Sequence, residues 1–196
     1  MAITRISQST VKEGLEKFNS FYGGASFVFG DYESIATITA GSGGVQSLVF
    51  TSIPTGYQHL QIRAVLRSTY GIDQPALSIQ LNGTQIDRNH GLYGGGSSAS
   101  AYSGTSGYIS HTNGNTAPAS MFSAIIIDIL DYTSTTKNKV VRAFSGGDRN
   151  GSGFVEMTSG LEITTSVVSS VGIWEPDTSY KIAQHSTAAL YGVKAP

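Results

Sequence analysis

Asp128 and Asp131 are the first residues whose types and spacing suggest chemistry, as the acid and nucleophile of a glycosidase. Their spacing argues against that role. Three positions apart on a strand puts them on opposite faces, and Asp131 reads as the start of the turn Asp131-Tyr132-Thr133-Ser134. The four histidines, His59, His90, His111 and His185, are scattered, and no two have metal-ligand spacing. Gly94-Gly95-Gly96 and Gly146-Gly147 match neither a phosphate loop nor a dinucleotide fingerprint. Asp148-Arg149-Asn150-Gly151-Ser152-Gly153 has some likeness to a calcium loop, but lacks its regular oxygen spacing and its closing Glu. No serine sits in a strand-to-helix Gly-x-Ser-x-Gly elbow, and Gly104-Thr105-Ser106-Gly107 has the wrong spacing. The sequence therefore predicts no catalytic set, no cofactor and no metal site: it does not read as an enzyme.

Aromatic residues offer a different chemistry. There are ten tyrosines and one tryptophan, and Tyr93, Tyr102 and Tyr108 lie in or near glycine-rich segments read as loops. Loop tyrosines can stack on sugar faces, which would make a glycan-binding module. Tyr is also enriched where subunits pack together, and packing is the preferred reading of the two.

The composition limits what must position these residues. The 196 residues suffice for one sizeable domain. Charged residues make up 13%, about half of the roughly 25% of ordinary soluble domains. With 24 glycines and many Ser and Thr, this is a turn-rich β composition whose surface is polar through hydroxyls and amides. Low charge also suits a subunit of an assembly better than a free monomer. The net charge of −1 offers no positive field for nucleic acid or for anionic membranes. With no cysteine there is no disulfide framework and no thiolate metal site. No apolar run approaches the ~20 residues of a membrane helix.

Residues 1–31 differ from the remainder. Thr10-Val11-Lys12-Glu13 is a capping box, Val11, Leu15, Phe18 and Tyr22 recur at helical spacing with Phe21 beside them, and Gly23-Gly24 is a natural stop. This short helix or arm is expected to dock its stripe either on the chain's own sandwich or on a neighbouring subunit. Residues 32–196 read as strands. A Glu33–Ala40 strand and a Val45–Ser52 strand are expected to form a hairpin through Gly41-Ser42-Gly43-Gly44. His59–Arg67 should bury Leu60, Ile62, Ala64 and Leu66 on one face. Asn82-Gly83 marks a tight turn after Ala76–Leu81. Residues 88–120 are the least regular stretch, too glycine-rich around 91–98 for a core strand. Met121–Leu130 is apolar on both faces, as for a central strand covered on both sides. Lys139–Ser145 alternates, residues 146–153 read as a long turn, and strands follow over Phe154–Ile163, Val167–Trp174 and Ala188–Val193. Eight or nine strands and no second helix predict an all-β antiparallel two-sheet sandwich, jelly-roll-like, behind the N-terminal helix or arm.

Several segments in order carry a family resemblance: Tyr32-Glu33-Ser34-Ile35-Ala36-Thr37, Gly41-Ser42-Gly43-Gly44, Phe50-Thr51-Ser52-Ile53-Pro54 and Tyr57-Gln58-His59-Leu60-Gln61-Ile62-Arg63. His90-Gly91-Leu92-Tyr93-Gly94, Ile127-Asp128-Ile129-Leu130-Asp131-Tyr132, Asn150-Gly151-Ser152-Gly153 and Ala189-Leu190-Tyr191-Gly192-Val193-Lys194 continue it. Through them the chain resembles a family of tailed-bacteriophage virion structural proteins, common in aquatic phages including those of cyanobacteria. The resemblance implies a capsid decoration protein (cement or head fibre) or a tail-fibre module, located in the virion. Its implied partners are further copies of itself, as a trimer or another closed oligomer, and a phage capsid or tail protein reached through Val11, Leu15, Phe18, Phe21 and Tyr22. Host-surface glycan is the ligand of the alternative, receptor-binding reading. The family brings no catalytic residues.

Overall fold

The computed structural model describes residues 32–194. The expected N-terminal helix, with Val11, Leu15, Phe18, Phe21 and Tyr22, lies outside the described residues. Within them there are thirteen strands and no helix: β1 (Tyr32–Thr39), β2 (Ser47–Phe50), β3 (His59–Leu66), β4 (Ala76–Leu81), β5 (Thr84–Gln85), β6 (Arg88–Gly95), β7 (Ser98–Gly104), β8 (Tyr108–His111), β9 (Ser123–Leu130), β10 (Lys139–Asp148), β11 (Gly153–Glu162), β12 (Val171–Trp174) and β13 (Thr187–Val193). They form two antiparallel sheets. The large sheet has eight strands in the order β1-β13-β3-β9-β10-β11-β6-β7; the small one runs β2-β12-β4-β5, with β8 paired to β4. The architecture is the two-sheet sandwich that the alternating strands imply.

Alternation places the core. β3 buries Leu60, Ile62, Ala64 and Leu66, as its period of two requires, and β9 buries Ile125, Ile127 and Ile129 beside them. Leu48, Leu77, Ile79, Leu81, Val171 and Ile173 answer from the small sheet. Each such side chain contributes about 1.5–3 kcal/mol by leaving water. The Asn82-Gly83 turn closes β4 onto β5 with both residues at positive φ (52° and 83°), the geometry that matches strand twist.

Four expectations are corrected. β1 and β2 are not a hairpin: β1 pairs with β13 and β2 with β12, so the glycine turn carries the chain from one sheet to the other. Gly44, at φ +70°, makes that crossing, where a Cβ would stand 2.6 Å from the Ile182 carbonyl oxygen. The glycine-rich 91–98 stretch is not a loop but β6 and the start of β7. Glycine is needed at Gly91 because a Cβ there would lie 2.1 Å from the Tyr102 ring. β10 runs on through Gly146-Gly147-Asp148, so the long turn shrinks to Arg149–Ser152. Finally, β9 is not covered on both sides: its outer residues Ala124 and Ile126 are exposed.

Candidate functional site

The three tyrosines singled out by the sequence converge, on strands rather than loops. Tyr93 is on β6, Tyr102 on β7 and Tyr108 on β8, and all three are half-buried. β11 places Glu156 among them, because Phe154, Glu156 and Thr158 share its inward face. The Glu156 side chain has no exposed surface. Its carboxylate accepts the Tyr102 hydroxyl at 2.8 Å, the Tyr108 hydroxyl, and the His111 backbone N–H at 2.8 Å. His111 Nδ1 lies 2.6 Å from the Tyr108 hydroxyl and 3.2 Å from both carboxylate oxygens. The Tyr102 hydroxyl also meets Thr158 Oγ1 at 2.7 Å. Aromatic edges close the cluster: Tyr108 on His111, and His111 on Phe154, with ring centroids 5.1 and 6.1 Å apart.

The electrostatics follow from burial and partners. Burial alone would raise Glu156, but the hydrogen bonds from His111 and Tyr108 together outweigh it and hold the carboxyl below the ordinary carboxylate range. Burial pushes the Tyr102 phenol up to about 12 and, with the carboxylate beside it, lifts Tyr108 above the ordinary phenol range. Glu156 Oε1 takes both protonated phenols and Oε2 takes the His111 N–H. The arrangement clamps β11 of the large sheet to β8 of the small one. One step further out, with its amide oxygen facing Arg149, Gln74 accepts from Arg149 Nη2 at 2.6 Å and donates to the Tyr93 hydroxyl. Arg149 is itself buried, and its guanidinium reaches Ser152 Oγ at 3.3 Å, so a cation fills the turn that resembles a calcium loop.

Sequence reasoning missed Glu156, and weighed His111 only as a metal ligand. The signal for Glu156 was its parity with Phe154. An acid on the inward face of an alternating strand must find donors inside. Glu162, Glu175 and Lys139 are also buried, elsewhere in the sandwich. Burial, then the neighbouring Asp87 carboxylate, pushes Glu162 up; burial likewise pushes Glu175 up and Lys139 down. Asp128 and Asp131 do not form a pair: Asp128 accepts from Gln61 Nε2 at 2.8 Å, while Asp131 holds Lys137 Nζ at 2.6 Å in its turn.

The outer face of the large sheet is the second candidate. One registered row runs Ile126 (β9), Phe144 (β10), Met157 (β11), Leu92 (β6) and Ala101 (β7). Ile126, Phe144, Met157 and Leu92 are 39, 53, 57 and 62% exposed. The next row runs Val65, Ala124, Gly146, Val155, Gly94 and Ala99. Only Val65 and Val155 stand up from it, so a large-residue ridge lies beside a recess floored by backbone. A groove of about 430 Å³ between Leu92, Ala99, Phe144, Val155 and Met157 follows this edge. At strand spacings of ~4.8 Å and ~6.8 Å between same-face residues, these eleven positions make roughly 360 Å² of apolar surface, bounded on β3 by Arg63. A patch of that size is on the scale of the largest apolar patch of an ordinary monomer, which is often functional. No family model, curated protein or solved structure matches the chain.

Proposed function

We propose that this protein is a non-enzymatic structural subunit of a tailed-phage particle, displayed on its outer surface. In this reading it is a capsid decoration protein, a cement or head fibre, attached through residues 1–31. The observation that carries the reading is the bare apolar ridge Ile126–Phe144–Met157–Leu92. Among the described residues nothing covers this face, whereas a neighbouring subunit in an assembly would. The low charge of 13% and the resemblance of segments from Tyr32 to Lys194 to those of phage virion proteins support the same reading. The glycan-binding alternative draws no support from Tyr93, Tyr102 and Tyr108, whose hydroxyls are engaged within the sandwich.

The test is electron microscopy of intact particles labelled with antibody to the purified protein, with copies counted. Many copies over the head are expected. A few copies at the tail would move the assignment to a tail fibre, and unlabelled particles would overturn the virion reading.

A further inference from the structure

We propose that the outer face of the large sheet is a two-fold contact with a second copy of this chain. The inference rests on the reading of the chain as an assembly subunit and adds the partner, the symmetry and the residues. It gives the contact two-fold rather than three-fold symmetry.

β10 carries the argument. Its outward residues, in order, are Val140, Arg142, Phe144, Gly146 and Asp148, and the last four carry the pattern. They read as cation, large, absent side chain, anion. A two-fold axis lying in the plane of the face, across the strands and between Phe144 and Gly146, maps each residue onto its complement. Phe144 then sits over the partner copy's Gly146, and Arg142 over its Asp148, each contact occurring twice. Such a self-complementary pattern is what an isologous interface requires. The same operation seats large on small on β9 and β6, and sets Arg63 against the second copy's Val65 on β3. Ile126 falls over the second copy's Ala124 on β9, and Leu92 over its Gly94 on β6. On β11, Met157 meets Val155, and the flexible thioether chain adapts to the larger neighbour.

Charge and area agree with this occupant. Arg142 has no hydrogen bond or ion pair among the described residues, and Asp148 is exposed, with one oxygen on the Asn150 N–H at 2.8 Å. The ridge and its recess contain no charged residue from β9 to β7, so they favour an apolar partner surface, and this face is itself one. Three rows paired across eight strands plus the Asp148–Gly153 pair, at ~4.8 Å by ~6.8 Å per position, give about 850 Å², with Arg63 and Asp128 beside the ridge. A stable interface needs about 800 Å² per partner. Sheets packed face to face lie ~10 Å apart with strands crossing by about 30°, which centres the contact on β10 and its neighbours.

The experiment is sedimentation equilibrium of the full chain and its variants, with circular dichroism to verify folding. The wild type should sediment at twice its 20.6 kDa mass. Gly94→Leu should weaken dimerisation at least about tenfold by filling the seat of the second copy's Leu92. A Cβ at Gly94 meets the Val155 carbonyl oxygen at 3.8 Å, ordinary van der Waals contact, and circular dichroism verifies that the variant folds. Arg142→Asp and Asp148→Arg should each also weaken dimerisation about tenfold by placing like charges opposite. Mixed one to one, these two variants should pair again, since every 142–148 contact then joins opposite charges. A monomeric wild type, a three-chain mass, folded variants that dimerise unchanged, or a mixture that fails to pair would each overturn the proposal. A monomer that still labels particles would leave the virion reading standing, whereas a dimer that labels none would leave this contact standing without it.

Discussion

Replacing Glu156 by alanine should unlock the two sheets where they are clamped together. Three donors converge on the carboxylate: the Tyr102 hydroxyl, the Tyr108 hydroxyl and the His111 N–H. The two hydroxyls keep fallback partners in Thr158 Oγ1 and His111 Nδ1. The backbone N–H has none, and one orphaned donor costs about 1–3 kcal/mol. Losing the charged character of the remaining bonds and emptying the side-chain volume brings the total to about 3–5 kcal/mol. For a chain of this size that is a fall in Tm of roughly 6–20 °C, read by thermal melts of the full chain. The pH dependence is a second readout. The folded carboxyl ionises below its ordinary value of 4.5, so its contribution is complete above 4.5 and fades as pH falls through the lowered folded value. The gap between wild type and Glu156→Ala should therefore be widest near neutrality and narrow in acid. A gap under about 1 kcal/mol at pH 7, or one that widens on acidification, would refute the clamp.

Glu162→Gln should act in the opposite direction. Burial and Asp87 raise the Glu162 carboxyl, and one of its oxygens has no partner, so neutralising it should stabilise the fold by about 1 kcal/mol at pH 7. That gain should disappear as pH falls through the raised value towards 4.5, visible in urea midpoints taken across pH. Gly91→Ala should cost about 1–3 kcal/mol by driving a methyl into the Tyr102 ring, and Tyr102→Ser in the same chain should recover part of it in denaturant melts. Gly44→Ala should destabilise by at least about 1 kcal/mol, from its positive φ and the Ile182 carbonyl together, with a lowered urea midpoint as the measure.

The sandwich was legible where one face of a strand is wet. β3 alternates strictly, and its four inward residues are those its sequence names. Asn82-Gly83 marked its turn because both residues tolerate positive φ. Reading failed where side chains, not propensity, decide. Glycines argue against a strand on entropy alone, yet Gly91 belongs in β6 because the Tyr102 ring occupies the space a Cβ would need. Likewise Glu156 was legible only through its parity. Its partners come from β7 and β8, more than forty residues earlier in the chain, and no local pattern names them.

The apolar run in β9 shows the deeper limit. Hydrophobic periodicity reports that a face is buried, not which chain buries it. Ile125, Ile127 and Ile129 on one side and Ala124 and Ile126 on the other fit a strand between two layers. The small sheet supplies one layer, and among the described residues no second layer covers the other side. An apolar face without a cover among the described residues is explained if another copy provides it. The spacing Arg142, Phe144, Gly146, Asp148 specifies how that copy would lie. Taking Gly146 onward for a turn cut this pattern in half, and only the continuation of β10 to Asp148, paired with Gly153, restores the whole palindrome of charge and size to one strand.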